Sequence, residues 1–304
     1  MCRIEFTRAR TGLLAMLLVT LSTGRSDAAG NEVKSAPSTV RVAAVQCYSR
    51  MGAMEYNRSL LTRLVTKAAE AGAKIVVLPE CAVTGYMDPA AERVWTSAAH
   101  PDENEFDAHA VAETVPGPAT EHFAALAKKL GVYLCLPLVE KDGGTLYNSQ
   151  VLLGPDGTIL AHHRKKNLWL PGDGAWMTPG EKPVQVVDSP YGRLGLMICY
   201  DVHVMPELLA KAKADIVLYS VGWYGPNTEN WFRNLFPAGY VVPNHFAVVV
   251  ANWSAEPDNP GWPGHGYSCV IDAAGKVLSM ATSDRGEEIV FADLPVAAPE
   301  PAGQ

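Results

Sequence analysis

Apolar residues along this 304-residue chain fall into short unbroken runs separated by segments with helical spacing. Val40–Gln46, Lys74–Leu78 and Val132–Val139 have the length and composition of buried strands. Between them, Leu60, Leu61, Leu64, Val65 and Ala68 recur on one helical face of Glu55–Ala71, and Gly72 stops that helix. Thr120–Leu130 is a second amphipathic helix, capped by Gly131. Leu146–Leu153 and Thr158–His163 flank the turn Gly154-Pro155-Asp156-Gly157 and read as a hairpin. Strand and helix alternate again from Leu194: a strand ending Gly195-Leu196-Met197-Ile198, a helix opening at Pro206, a strand over Asp215–Tyr219, a helix over Glu229–Val242 and a strand over Phe246–Ala251. Tyr267–Ile271 and Lys276–Ser279 form a second hairpin around Asp272-Ala273-Ala274-Gly275, and Glu288–Ala292 adds a last strand. Two halves of strands interleaved with helices, each with a hairpin, predict a layered α/β sandwich in a single domain.

The first residues have a different pattern. Arg3, Arg8 and Arg10 precede the apolar run Leu13–Val19, and the small residues Ser26, Ala28 and Ala29 follow. This order predicts a secretory signal peptide over residues 1–29. The apolar part is shorter than the roughly 20 residues a membrane span needs, so no stable span is expected in the mature form. Residues 30–39 read as a flexible lead-in, 40–294 as the folded domain and 295–304 as a tail, with an exported protein, periplasmic or secreted, as the product.

Charge and cysteine content narrow the partners. The formal net charge is −7. Removing Met1–Ala28, whose four arginines outnumber Glu5 and Asp27, leaves a more acidic mature chain, which argues against a nucleic-acid partner. Loss of Cys2 leaves five cysteines, an odd number, so at least one thiol stays free even in an oxidising compartment. Cys47, Cys81 and Cys135 each follow an apolar run and read as core residues. The eight histidines show no paired-ligand spacing, and no metal or other cofactor is expected. His162, His163 and His203 read as surface or site-lining residues.

Cys199 differs from the other cysteines because it stands where an apolar strand stops and Tyr200-Asp201 begins, just ahead of the helix at Pro206. A thiol at such an elbow, near a helix N-terminus, can serve as a nucleophile. Two other strand ends deliver charges it would need: Glu80 after Val77-Leu78-Pro79, and Lys165 within His163-Arg164-Lys165-Lys166, a basic run of which one member need face inward. Glutamate, lysine and cysteine together suggest covalent amide chemistry.

Leu78-Pro79-Glu80, Arg164-Lys165 and Ile198-Cys199-Tyr200-Asp201 occur in the order and context of the nitrilase superfamily of carbon-nitrogen hydrolases, and the chain resembles its amidase-like branches from Val40 to about Leu294. Thr84-Gly85-Tyr86, Glu140 before Tyr147-Asn148-Ser149, Gly154-Pro155-Asp156-Gly157, Thr178-Pro179-Gly180, Pro206-Glu207, Ala251-Asn252 and Gly266-Tyr267-Ser268 add to the match. The resemblance implies a four-layer αββα sandwich, usually paired with a second subunit as a homodimer or higher oligomer. It implies Glu80 as general base and acid, Lys165 as oxyanion stabiliser, Cys199 as nucleophile and Glu140 as a supporting glutamate that holds Lys165 in register. Tyr86, Tyr200 and Trp223 are the expected substrate-binding residues. Asn167 departs from the histidine many relatives carry there, and Ala238–Asn244 departs from their arginine and glutamate. True nitrilases usually place tryptophan and glutamate after the cysteine, so Cys199-Tyr200-Asp201 favours a small linear amide as substrate. An N-carbamoyl compound, a nitrile and transfer of the acyl group to an amine are the alternatives within the fold, and a catalytically silent binding protein is the alternative outside enzymology.

Overall fold

The computed structural model describes residues 39–86, 108–170, 172–223, 227–254 and 266–296. The expected signal peptide and all but the last residue of the lead-in lie outside the described residues, as do 297–304 of the tail. Among the described residues, no helix is long and apolar enough to cross a membrane.

Among the described residues, twelve strands form two six-stranded sheets. The first contains β1 (Thr39–Gln46), β2 (Ile75–Val77), β3 (Tyr133–Asp142), β4 (Thr145–Leu153), β5 (Ile159–Arg164) and β12 (Glu288–Pro295), in the order β12-β1-β2-β3-β4-β5. The second contains β6 (Val186–Ser189), β7 (Gly192–Ile198), β8 (Ile216–Val221), β9 (Ala247–Asn252), β10 (Cys269–Ile271) and β11 (Val277–Met280), in the order β11-β10-β9-β8-β7-β6. Each sheet has a parallel centre, β1-β2-β3 in one and β7-β8-β9 in the other, with antiparallel strands at its edges. Parallel centres need crossover connections, and these supply the outer helices.

Three apolar cores separate four layers. Helices α1 (Met54–Glu70) and α3 (Pro118–Leu130) lay Leu60, Leu61, Leu64, Phe123 and Ala127 against the first sheet. Val42, Ala44, Val77, Leu196, Leu218 and Val249 fill the space between the sheets. Helix α4 (Pro206–Lys211) and the helical segment from α5 (Thr228–Asn230) to Asn244 cover the second sheet through Leu209, Phe232 and Phe236. A further short helix, α2 (Ala108–Val111), is tied to β3 by Lys141 Nζ, which donates to the His109 carbonyl at 3.3 Å. This is the αββα sandwich expected.

The structure differs from the sequence reading at three places. A β3-β4 hairpin closes at Gly143, whose φ of +61° suits glycine, and β3 extends past Val139 to Asp142. A short β6 pairs with β7; its two valines are followed at once by Asp188 and Ser189, too short an apolar run to read as a strand. The helix expected over Glu229–Val242 is wound as π-helix at Trp231–Leu235 and Pro237–Val241. Pro237 has no N–H to donate within that stretch, which disfavours a regular α-ladder there.

Candidate active site

The strand ends of the two sheets bring the expected groups together. Glu80 follows β2 through Pro79, Lys165 follows β5 and Cys199 follows β7. Glu80 and Lys165 are each only 1% exposed. A buried charge is tolerated only when it is paired and hydrogen-bonded, and Lys165 Nζ donates to Glu80 Oε1 at 2.8 Å and to Asp173 Oδ2 at 2.6 Å. Asn148 Nδ2 bridges the same two carboxylates, at 2.7 Å from Glu80 and 3.0 Å from Asp173. Asp173 is held in turn by the backbone N–H of Trp169 on Oδ1, while its own N–H donates to the Tyr86 hydroxyl.

Glu80 Oε2 is buried and has no hydrogen-bond partner among the described residues. Burial pushes the Glu80 carboxyl above its ordinary range, Lys165 pulls it back and Asp173 raises it again. Lys165 is opposed by burial but held charged by the carboxylates, well above the ordinary lysine range. The Cys199 thiol is pushed up by burial, then by Glu80 and Asp173, against the pull of Lys165 and of the Gly222 backbone N–H. A resting neutral thiol beside a charged ammonium and a carboxylate with a vacant oxygen can pass a proton to that oxygen as it attacks.

Backbone geometry presents the sulfur. Cys199 has φ +40°, uncommon outside glycine, and opens a tight turn, Cys199–His203. Among the described cysteines it alone is partly exposed; Cys47, Cys81, Cys135 and Cys269 are buried free thiols. Trp253 packs on the Glu80 segment: its Nε1 donates to the Glu80 carbonyl at 2.6 Å, and its ring lies 2.4 to 2.5 Å from where a Cβ on Gly222 would sit, so a side chain at 222 would force the indole to shift.

A model of the carbon-nitrogen hydrolase family matches residues 41–302. The chain belongs to the carbon-nitrogen hydrolase family. Curated relatives of this hydrolase include Omega-amidase NIT2 of Danio rerio, 33% identical over 269 residues that cover 84% of this chain and 88% of the relative, and Omega-amidase NIT2 of Homo sapiens, 31% identical over 241 residues that cover 76% and 79%. Among solved structures, an amidase from Nesterenkonia sp. superposes with a TM-score of 0.68 at 25% identity, covering 86% of this chain and 93% of the amidase. A mutant of that amidase carries the acetamide moiety of fluoroacetamide added covalently at its active-site cysteine.

One expected member of the hydrolase site is placed elsewhere. The hydrogen bonds of Glu140 come from Arg164, from Ser149 Oγ and from His162 Nε2 at 2.8 Å, rather than from Lys165. The carboxylate that braces Lys165 is Asp173. The reason is the strand period: Arg164 and Lys165 are consecutive, so their side chains leave opposite faces, Arg164 reaching across β4 toward Glu140 on β3 and Lys165 toward Glu80. Asp173 gave little signal in the sequence, because an aspartate in Gly172-Asp173-Gly174 reads as a turn residue.

The three expected substrate contacts separate. Tyr86 is buried, edge-on to Trp253 at 4.8 Å, and holds Asp173. Tyr200 is 37% exposed and lines an open cavity of about 720 Å³ with Lys166, Asn167, Trp169 and Met177. Trp223 stacks on Trp231 at 4.5 Å, and its buried indole N–H has no partner among the described residues. His163, expected at a surface or lining the site, is buried against Asp201.

Proposed function

We propose that this hydrolase cleaves the C–N bond of a small linear amide through a thioester on Cys199. The observation that carries the reading is the vacant, buried Oε2 of Glu80 beside a charged Lys165. Glu80 takes the Cys199 proton on that oxygen while the sulfur adds to the substrate carbonyl carbon. The oxyanion is held by the Lys165 ammonium and the Tyr200 backbone N–H, stabilisation worth about 3 kcal/mol per donor in comparable sites. Glu80 then returns the proton to nitrogen, the C–N bond breaks, and ammonia or an amine leaves. A water gives its proton to Glu80 and adds to the thioester carbon; collapse releases the acid and restores the thiol. Asp173 keeps Lys165 charged and in place, and Tyr86 orients Asp173.

Ammonia release by purified protein across linear amides, N-carbamoyl compounds and nitriles, for wild type and Cys199→Ser, tests the reading. Amides turned over fastest and a nearly inactive variant are expected; a variant at the wild-type rate would falsify it. Adding an amine acceptor and analysing products separates hydrolysis from acyl transfer. Export is part of the proposal, motivated by the Arg-rich, apolar and small-residue order before Gly30; an intact N-terminus on protein retained inside the producing cell would refute it. Assembly as a homodimer is supported by the exposed apolar Val204, Leu208, Leu235 and Val242 on neighbouring elements over the second sheet, and light scattering that gives the mass of one chain would remove it.

A further inference from the structure

Asp201 is completely buried two residues after Cys199, and its carboxylate contacts the other sheet. Oδ1 accepts from the backbone N–H groups of Lys166, at 2.8 Å, and Asn167, at 2.9 Å. Oδ2 accepts from His163 Nε2 at 2.7 Å and from the Ile198 N–H at 3.3 Å. A second tie runs back the other way, from Asn167 Nδ2 to the Tyr200 carbonyl at 2.9 Å. These bonds join the segment on either side of Lys165 to the segment on either side of Cys199.

We propose that Asp201, supported by His163 and Asn167, is the positioning residue that sets the separation between the Lys165 ammonium and the Cys199 elbow, and so builds the oxyanion site. The proposal rests on the thioester reading above. His163 and Lys165 are two residues apart and face the same side of the strand, so fixing the His163 ring also fixes the direction in which Lys165 leaves the backbone. The Lys166 and Asn167 N–H groups lie just beyond the end of β5, where no strand partner takes them, and one carboxylate oxygen receives both. The Tyr200 N–H belongs to the same turn that the Asp201 carbonyl closes by accepting from Val204 and Met205 at 2.9 and 2.8 Å. Both oxyanion donors are therefore held through one residue. Neither Asp201 nor Asn167 takes part in proton transfer or bond making in the mechanism above.

The position predicts an effect on the transition state and little on ground-state binding. Asp201→Asn offers a single acceptor oxygen to two sets of donors, and Asn167→Ala removes only the tie to Tyr200 from a partly exposed position. Kinetics on the fastest amide of the panel, and inhibition by the aldehyde of the same acyl chain, whose cysteine adduct carries the same oxygen, read out the geometry. Asp201→Asn should lower kcat about a hundredfold, as expected for a misplacement of about 1 Å. Its KM should stay within about threefold, and its aldehyde affinity should fall in parallel with kcat/KM. Asn167→Ala should show the same pattern at about fivefold, and it carries the test if Asp201→Asn does not fold. A folded Asp201→Asn with unchanged kcat, a loss that appears mainly in KM, or aldehyde affinity left at the wild-type value in both variants overturns the proposal. Cys199→Ser retaining the wild-type rate would instead remove the thioester reading on which it stands.

Discussion

Arg164 and Lys165 are adjacent cations at the end of one strand, and each enters a carboxylate cluster, yet the two clusters are built to opposite ends. Around Arg164, Glu140 accepts from the guanidinium, Ser149 and His162; Asp142 takes a further guanidinium N–H at 2.8 Å, and Lys182 Nζ closes on His162 Nδ1 at 3.0 Å. The guanidinium also lies 3.8 Å from the centre of the Tyr147 ring. Both oxygens of Glu140 are satisfied. Burial alone would raise its carboxyl, but the bonds from His162, Arg164 and Ser149 outweigh it and hold the group at about 2. Around Lys165 the ammonium is shared by two carboxylates, and Glu80 Oε2 has no partner among the described residues. A saturated network fixes a structure; a buried carboxylate oxygen with no protein donor on it is free to accept a proton. The contrast teaches that which carboxylate is chemically active cannot be read from charge pairing alone, since both are paired.

The largest effects that would break this contrast belong to the Lys165 side. Cys199→Ser and Glu80→Gln should each lower kcat/KM at least about a thousandfold with unchanged folding; a retained rate in Glu80→Gln would mean that the vacant oxygen is not the base. Asp173→Asn should come next, about ten- to a hundredfold in kcat, because Lys165 loses a charged brace while the shape remains. If Glu140→Gln costs as much activity as Asp173→Asn, the assignment of roles to the two clusters is reversed. Expected for Glu140→Gln is a rate within about threefold of wild type with about 2 kcal/mol lost in denaturant unfolding, from the guanidinium and hydroxyl left with an incomplete partner.

Acid titration separates the clusters again. Glu80 can accept the thiol proton only when ionised, and its carboxyl is raised above the ordinary 4.5, chiefly by burial. kcat/KM should therefore rise with pH through an apparent midpoint above 4.5; a midpoint below that value contradicts the assigned base. Glu140 has the opposite sign. Its folded value of about 2 lies below the ordinary 4.5, so its contribution to stability is complete above about 4.5 and is lost as pH falls toward 2. Unfolding measured across that window should show wild type losing stability that Glu140→Gln does not lose. Parallel curves for the two proteins would mean that the network does not stabilise the ionised form. This is the smallest effect of the set.

Much of this was legible before any tertiary contact was known. The apolar runs and helical spacings placed most of the strands and helices because parallel sheets buried on both faces demand such runs. Glu80 and Cys199 were legible for a related reason, as each follows an apolar run where the chain leaves a sheet, while Lys165 was legible as one member of a basic run at a strand end. The sequence by itself thus determined the layers and the three strand ends that meet. Asp173, the clamp at Asp201 and the separation of Glu140 from Lys165 were decided only in three dimensions. Each depends on how a turn folds back or on which face of a strand a side chain leaves, and the distances that satisfy buried charges arise between segments far apart in the chain. Local pattern measures which residues want burial, whereas partner choice among buried charges is set by packing of the two sheets against each other.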